Sequence, residues 1–350
     1  MRLRLALGGV VIEIRSNSAP LIEELSSYFG AFLTWHDEPH IVITALEQAE
    51  FAPPFPLIIK TPDPGKTRIK EEYADLVDGR LVRKRLTGMV FLMAADVNLA
   101  VGPCLANANQ VVNFVNGRYI EHLLRRGGLL CHASACAKGS GAIVIAGGPG
   151  VGKSTLALHL LEHGFDFVSN DRVVLLGEPR SVHAHGVPKL PRVNPGTIVG
   201  LTQLHALMTE DELEAMRSLP PAELWQLERK FDVPLDSLYG PDRFRLDTDV
   251  AGVLILEWTR AGGACHVQEF APSERPDLLK PLVKSTGLFL LDDSGLAFSA
   301  AGLPDPSLYA QLLSGMPAFR LSGGVDFERA IQLCAHLGSS NQQEGEKHGS

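Results

Sequence analysis

The sequence predicts an α/β protein in which a small α+β module over residues 1–105 precedes a larger α/β domain over 106–337, with a polar tail at 338–350 expected to be disordered. Three observations lead there. The 350 residues exceed the roughly 100–200 of one domain, and a hydrophobic content of 45% supplies cores for two. Alternating strand-like pieces fill the first hundred residues. Beyond them, two buried-type apolar runs lead into a glycine-rich loop and an amphipathic helix.

The first module carries strand patterns at Leu3 to Leu7, Val10 to Ile14, His40 to Ala45 and Met89 to Ala94, a helix pattern around Ala19 to Leu33, and a Pro-rich link from Phe51 to Pro64. From Asn107 to Arg126 apolar residues recur at three- and four-residue spacing, and Gly127-Gly128 closes the helix, so the second domain is taken to begin here. A hairpin follows, Leu129 to Ala137 and Ala142 to Ala146 about a Lys138-Gly-Ser-Gly141 turn, and then a helix from about Lys153 to His163. Phe165 to Leu176 reads as a strand with a polar break at Ser169 to Arg172, and Val187 to Gly196 as a Pro-braced loop. Thr209 and Glu212 have capping-box spacing, Pro221 suits a first helical turn, and Gly252 to Trp258 and His266 to Phe270 continue the sheet. The last helix is placed at Asp326 to Leu337.

Composition narrows the partners. Lys+Arg 32 against Asp+Glu 40 gives a net charge of −8, so no global basic field recruits nucleic acid or an anionic membrane. Apolar runs stop well short of the ~20 residues that cross a bilayer. The N-terminus alternates like a strand and lacks a signal-peptide core, so a cytoplasmic protein is expected. Cys104, Cys131, Cys136, Cys265 and Cys334 are odd in number and never in a CxxC pair, which suits reduced packing residues.

The chemistry concentrates at Gly147, Gly148, Pro149, Gly150, Val151, Gly152, Lys153, Ser154 and Thr155, which fit G-x-x-x-x-G-K-[ST] between a strand and a helix. Glycines there allow backbone N–H groups to turn toward phosphate oxygens, and the helix N-terminus adds its positive dipole end. Lys153 would bridge the β- and γ-phosphates of a nucleoside triphosphate, and Ser154 would ligate Mg²⁺. No N-K-x-D sequence reads guanine, which favours ATP. A carboxylate is still needed to hold the metal or to serve as base. Asp171 arrives directly after the helix and is preferred to Glu257, which can equally be a charge at an exposed strand end.

A symmetric hairpin pairs residues whose numbers sum to 279, which sets His132 beside Gly147. It can act on the γ-phosphate or the nucleophile, or be a core histidine bonded to backbone; Ser134 shares its face. Lys189 and Arg192 can stabilise a transferring phosphoryl group, or simply be solvated charges on a loop. His183 and His185 have ligand-like spacing but no third partner, so no metal site is expected there.

The run CHASACAKGSGAIVIAGGPGVGKSTLALHLLEHGFDFVSNDRVVL resembles the catalytic domain of the HPr kinase/phosphorylase family, whose nucleotide-binding architecture phosphoenolpyruvate carboxykinases share. With NANQVVNFVNGRYIEHLLRRGG, PKLPRVNPGT and FRLSGGVDFERA, the chain is similar to the HPr-kinase-related kinases, of the subgroup called kinase B. The resemblance implies a P-loop domain of the HPr kinase/PEP carboxykinase type. It also implies that Gly147 to Thr155 bind ATP, that Ser154 helps hold Mg²⁺, and that His132 and Asp171 lie in the catalytic neighbourhood. Where that family commonly has two aspartates, this chain has Asn170-Asp171, and an amide cannot accept a proton as a general base. The Glu-containing signature after the catalytic strand is replaced by the Lys189/Arg192 loop, so phosphorylase activity and HPr as substrate do not carry over. The expected function is an ATP- and Mg²⁺-dependent kinase acting on a hydroxyl, chiefly a serine of a protein or peptide. A metabolite kinase or an ATP-binding switch are the alternatives. Family members assemble, so a homo-oligomer is a further expectation.

Overall fold

The computed structural model describes residues 1–62, 67–95, 97–139, 141–292 and 303–347, with side chains as far as Ser339. Parts of three sequence expectations, the Pro-rich link at 63–64, the turn residue Ser140 and the tail end at 348–350, lie outside the described residues.

The chain divides into two compact units, Met1–Gly128 with Ser285–Leu303, and Leu129–Lys284 with Pro304–Ser350. The first holds an eight-stranded sheet running, in spatial order, Arg2–Leu7, Val10–Ser16, Ile41–Glu47, Val97–Gly102, Val90–Ala94, Gly79–Lys84, Glu71–Leu76 and Ile58–Ile59. The helix Ala19–Tyr28, capped by the Ser18 hydroxyl, crosses between the parallel strands Val10–Ser16 and Ile41–Glu47. The helix Ala108–Arg125, assigned to the second domain from sequence, belongs instead to this unit. Its apolar stripe of Val111, Val115, Tyr119, Ile120 and Leu123 is buried, and Phe114 packs on the sheet residue Phe91 at 4.9 Å between ring centroids. Its boundary is a matter of which sheet the stripe covers, which periodicity does not encode.

The second unit contains a nine-stranded mixed sheet. Gly141–Gly147 lies at its centre, antiparallel to Ala133–Lys138 and parallel to Asp247–Thr259. Every hairpin pair, from Ala133 with Ala146 to Lys138 with Gly141, sums to 279, the expected register. Both faces are covered, which is why this strand reads as a continuous apolar run. Ile143 and Ile145 point into one core with Leu156 and Leu160 of the helix Lys153–Glu162 and Cys334 of the helix Phe327–Lys347. Ala142, Val144 and Ala146 point into the other, against Leu279, Leu282 and Tyr309. The stretch Phe165 to Leu176 resolves into two strands, Asp166–Ser169 and Val173–Gly177, parted at the polar break. The capping box at Thr209 and Glu212 is present. The last helix continues to Lys347, past the Leu337 where the sequence pattern loses its apolar stripe, because Gln, Glu and Lys are good helix formers even without one.

All five cysteines are free, and burial pushes the thiols of Cys104, Cys131, Cys136 and Cys334 up and keeps them inert. Among the described residues no helix is long and apolar enough to cross a membrane.

Candidate functional site

The strand Gly141–Gly147 ends at a backbone crossing so close that only glycine fits. A Cβ on Gly147, whose φ is 157°, would lie 2.7 Å from the Leu256 carbonyl oxygen and 2.8 Å from Val151 Cγ1. Gly147→Ala is therefore expected to destabilise the protein by about 1–3 kcal/mol, read as a lower midpoint in urea unfolding. The loop then turns through Gly150 and Gly152, both with positive φ, and Gly152 caps the helix Lys153–Glu162.

Donors from outside tie back the loop's carbonyls. Trp258 Nε1 donates to the Val151 carbonyl at 2.6 Å and Arg260 Nη2 to that of Gly150 at 3.1 Å. Lys153 Nζ donates to the carbonyls of Gly147 at 2.8 Å and Gly148 at 3.1 Å. Burial pulls the Lys153 ammonium below its ordinary value, with Asp171 opposing that shift. A desolvated ammonium held only by neutral carbonyls is poised to exchange them for an anion.

Beside the loop opens a cleft of about 410 Å³. Gly150 to Thr155 form one wall. Lys153, Arg192, Lys230 and Arg260 line it, and among the described residues no carboxylate does. Trp225, Leu224 and Phe327 also line it, Phe327 close against Gly152; Trp225 is 44% exposed, and Arg260 sits over its ring at 4.5 Å. The combination suits a polyanion carrying a flat apolar group. Arg192 also pairs with Asp232 at 3.3 Å.

Two side-chain clusters occupy the next turn. In the first, Asn170 Oδ1 accepts from Ser154 Oγ at 2.8 Å and from Ser134 Oγ at 2.7 Å. In the second, Asp171 meets His132 Nε2 at 3.4 Å, Lys284 Nζ at 3.4 Å and Arg172 Nε at 3.8 Å. Asp171 has φ of 73°, a conformation that side-chain-bearing residues rarely adopt and that clusters at functional sites. The Ser169 hydroxyl pins this turn, accepting from Val187 N–H at 3.1 Å and donating to the Arg172 carbonyl at 2.5 Å. Burial works to raise the Asp171 carboxyl, but the His132 hydrogen bond and Lys284, helped by Arg172, overcome it and hold the acid well below the usual carboxylate range. Lys284 is itself pulled down by burial, and Lys189 by burial together with Arg172 and Arg192. His132 is fixed through its backbone, its N–H donating to the Leu282 carbonyl at 2.7 Å.

The sequence-predicted residues thus fall into linked groups. Gly150 to Thr155 and Arg192 line the cleft, Gly147, Gly148, Pro149 and Lys189 are not among its lining residues, and His132, from just before the strand Ala133–Lys138, meets Asp171 on the adjoining turn. The Ser154 hydroxyl is joined to Asn170, whereas the Asp171 carboxylate faces His132 and Lys284. Glu257 is ion-paired to Arg320 at 2.6 Å. Sequence reasoning missed Lys284, Arg260, Lys230, Trp225 and Phe327. Lys284 lies 113 residues from Asp171, and no local spacing announces it. The oxygen set of Ser154, Ser134 and Asn170, with Asp171 one residue on, fits a hard cation such as Mg²⁺ that takes oxygen ligands and keeps waters.

No family model matches the chain, and no curated protein does. Among solved structures it is similar to the Hpr(Ser) kinase/phosphatase from Coxiella burnetii, at 13% identity and a TM-score of 0.31, over 62% of this chain and 92% of that one. A likeness at that level carries no functional weight. The chemistry rests on the residues themselves.

Proposed function

We propose that the chain binds ATP with Mg²⁺ in the cleft beside Gly150 to Thr155 and transfers the γ-phosphoryl group to a hydroxyl, that of a serine in a protein or peptide. The observation that carries this reading is the pairing of a glycine loop and a cleft lined, among the described residues, by four cations and no carboxylate with an ionised Asp171 on the neighbouring turn. The triphosphate takes Lys153 from the carbonyls of Gly147 and Gly148, and Arg192 and Arg260 add charge along it. Ser154 and Asn170 are the oxygens placed to hold Mg²⁺, with Asp171 adjacent. Held there, Mg²⁺ would supply neutralisation of the phosphate charge. Asp171 accepts the proton of the incoming hydroxyl as the new O–P bond forms and the bond to ADP breaks. Its depressed basicity makes it chiefly an orienting acceptor, which phosphoryl transfer tolerates because catalysis there is mostly positioning and electrostatics. His132 and Lys284 fix that carboxylate. The resemblance to HPr-kinase-related kinases of the kinase B subgroup points the same way. A site of this kind is used inside the cell, where ATP is abundant.

Trp225 offers its exposed face to the base. Trp225→Ala should weaken ATP binding about tenfold by loss of stacking, measured by calorimetric titration, while leaving the affinity for inorganic triphosphate unchanged.

A second reading, an ATP-operated switch with slow hydrolysis, is favoured by one observation: the group facing Ser154 is the amide of Asn170. Incubation of the purified chain with γ-labelled ATP, alone and with lysate proteins, separates the two. Label on a protein band supports the kinase, label on a soluble compound moves the acceptor to a metabolite, and free phosphate alone supports the switch.

A further inference from the structure

Away from this cleft, two antiparallel strands bring four ligand-type side chains to one face of the sheet. The strand Val182–His185 pairs with the start of Asp247–Thr259 so that His183 lies opposite Asp249 and His185 opposite Asp247. The intervening Ala184 points the other way into the core. Two histidines at i, i+2 facing two aspartates at j, j+2 is a convergence that the sequence, with His183 and Asp247 64 positions apart, does not display.

The distances sort the four into distinct roles. His183 Nδ1 is 2.9 Å from Asp247 Oδ1, and His185 Nδ1 is 3.7 Å from the same oxygen. One ligand atom from each of His183, His185 and Asp247 lies within 4.8 Å of the others. Tetrahedral coordination at about 2.0–2.1 Å sets ligand atoms about 3.4 Å apart, between the two distances seen. On its other side His183 presents Nε2 to Asp249 Oδ1 at 3.1 Å. A carboxylate there accepts the Nε2 proton and leaves Nδ1 as the lone-pair nitrogen facing Asp247 and His185. This is the arrangement by which an outer carboxylate orients a metal-binding imidazole. The two rings stack, with 26° between their planes and centroids 6.1 Å apart. The His185 side chain is 5% exposed and Asp247 39%, so the cluster has a dry floor and an open mouth through which an ion and a water can enter.

We propose that His183, His185 and Asp247 form a binding site for a divalent transition metal, zinc by the chemistry of its ligands, with Asp249 as the orienting carboxylate. Two imidazoles and one carboxylate suit zinc over magnesium or calcium, which prefer all-oxygen sets. The ion would lie between His183 Nδ1, Asp247 Oδ1 and a His185 ring nitrogen, and a water would complete four-coordination. It ties the strand Val182–His185 to the long strand Asp247–Thr259, immediately before the loop that carries Lys189 and Arg192.

The test uses the full chain, stripped with a chelator and titrated with ZnCl₂ by calorimetry without nucleotide at about pH 7.5. Wild type should take up one equivalent at micromolar affinity or tighter, with a rise in melting temperature. His183→Ala should remove that equivalent, and Asp249→Asn should weaken it by about 10–100-fold. The partly exposed His183 makes the first variant a mild change, and circular dichroism checks that it folds. Independently of any variant, Co²⁺ loaded into wild type should give the visible absorption of a four-coordinate nitrogen and oxygen site. A thiolate-to-cobalt charge-transfer band would place the ion on cysteine and overturn the assignment. So would the absence of a saturable equivalent in wild type, or undiminished binding in folded His183→Ala.

Discussion

Lys153→Ala is expected to reduce phosphoryl transfer by at least about 10²–10³-fold, the loss typical of removing one preorganised charge-stabilising donor. In the nucleotide-free chain the ammonium is buried and held by the Gly147 and Gly148 carbonyls, so its removal deletes no ion pair that the fold needs. The effect should therefore fall on turnover and triphosphate affinity, with little change in melting temperature. Lys153→Arg should not rescue, because the larger planar guanidinium cannot occupy a pocket shaped by two loop carbonyls. Initial rates with γ-labelled ATP, beside thermal melts of the same preparations, check both halves.

Asp171→Asn is expected to lower turnover by about 10²–10⁴-fold while ATP still binds, since the carboxylate faces His132 and Lys284 and is not among the groups that line the cleft. The amide keeps the shape and loses the ability to take a proton. Retained turnover would remove Asp171 from that role. The same residue sets a pH dependence of stability. Its folded-state pKa is depressed, so its contribution is complete above the ordinary carboxylate range and is lost as pH falls through its lower folded value. Wild type and Asp171→Asn should therefore differ by a constant amount across neutral pH and converge in strong acid. Between about pH 5 and 8 the activity profile should show no limb from this acid.

Some of this was legible in the sequence because the information is local. The glycine loop, the strand before it and the helix after it span a few tens of residues, and the hairpin register followed from a short turn with only one compact pairing. The hairpin ladder begins at Ala133 with Ala146, one pair short of His132, and the approach of His132 to the turn carrying Asp171 comes instead from the pairing of Ala133–Lys138 with Asp166–Ser169, which the turn does not encode. What escaped comes from far along the chain. Lys284 reaches Asp171 from the end of a 3₁₀ segment, and Arg260 and Trp225 meet across the cleft as a side-chain pair without any spacing rule. The third partner of His183 and His185 was missed for that reason too, because a cross-strand neighbour is fixed by sheet order. The helix Ala108–Arg125 shows a further limit. Its amphipathic pattern was plain, but a stripe does not say which of two sheets it will cover.

The central claim is that the glycine loop and its cationic cleft hold a nucleoside triphosphate, and the most direct test is calorimetric titration of MgATP into wild type and Lys153→Ala. The account predicts saturable one-to-one binding at micromolar affinity to wild type, weakened at least tenfold in the variant and competed by ADP but not by adenosine. No heat of binding at millimolar MgATP, or equal affinity for the two proteins, would contradict it.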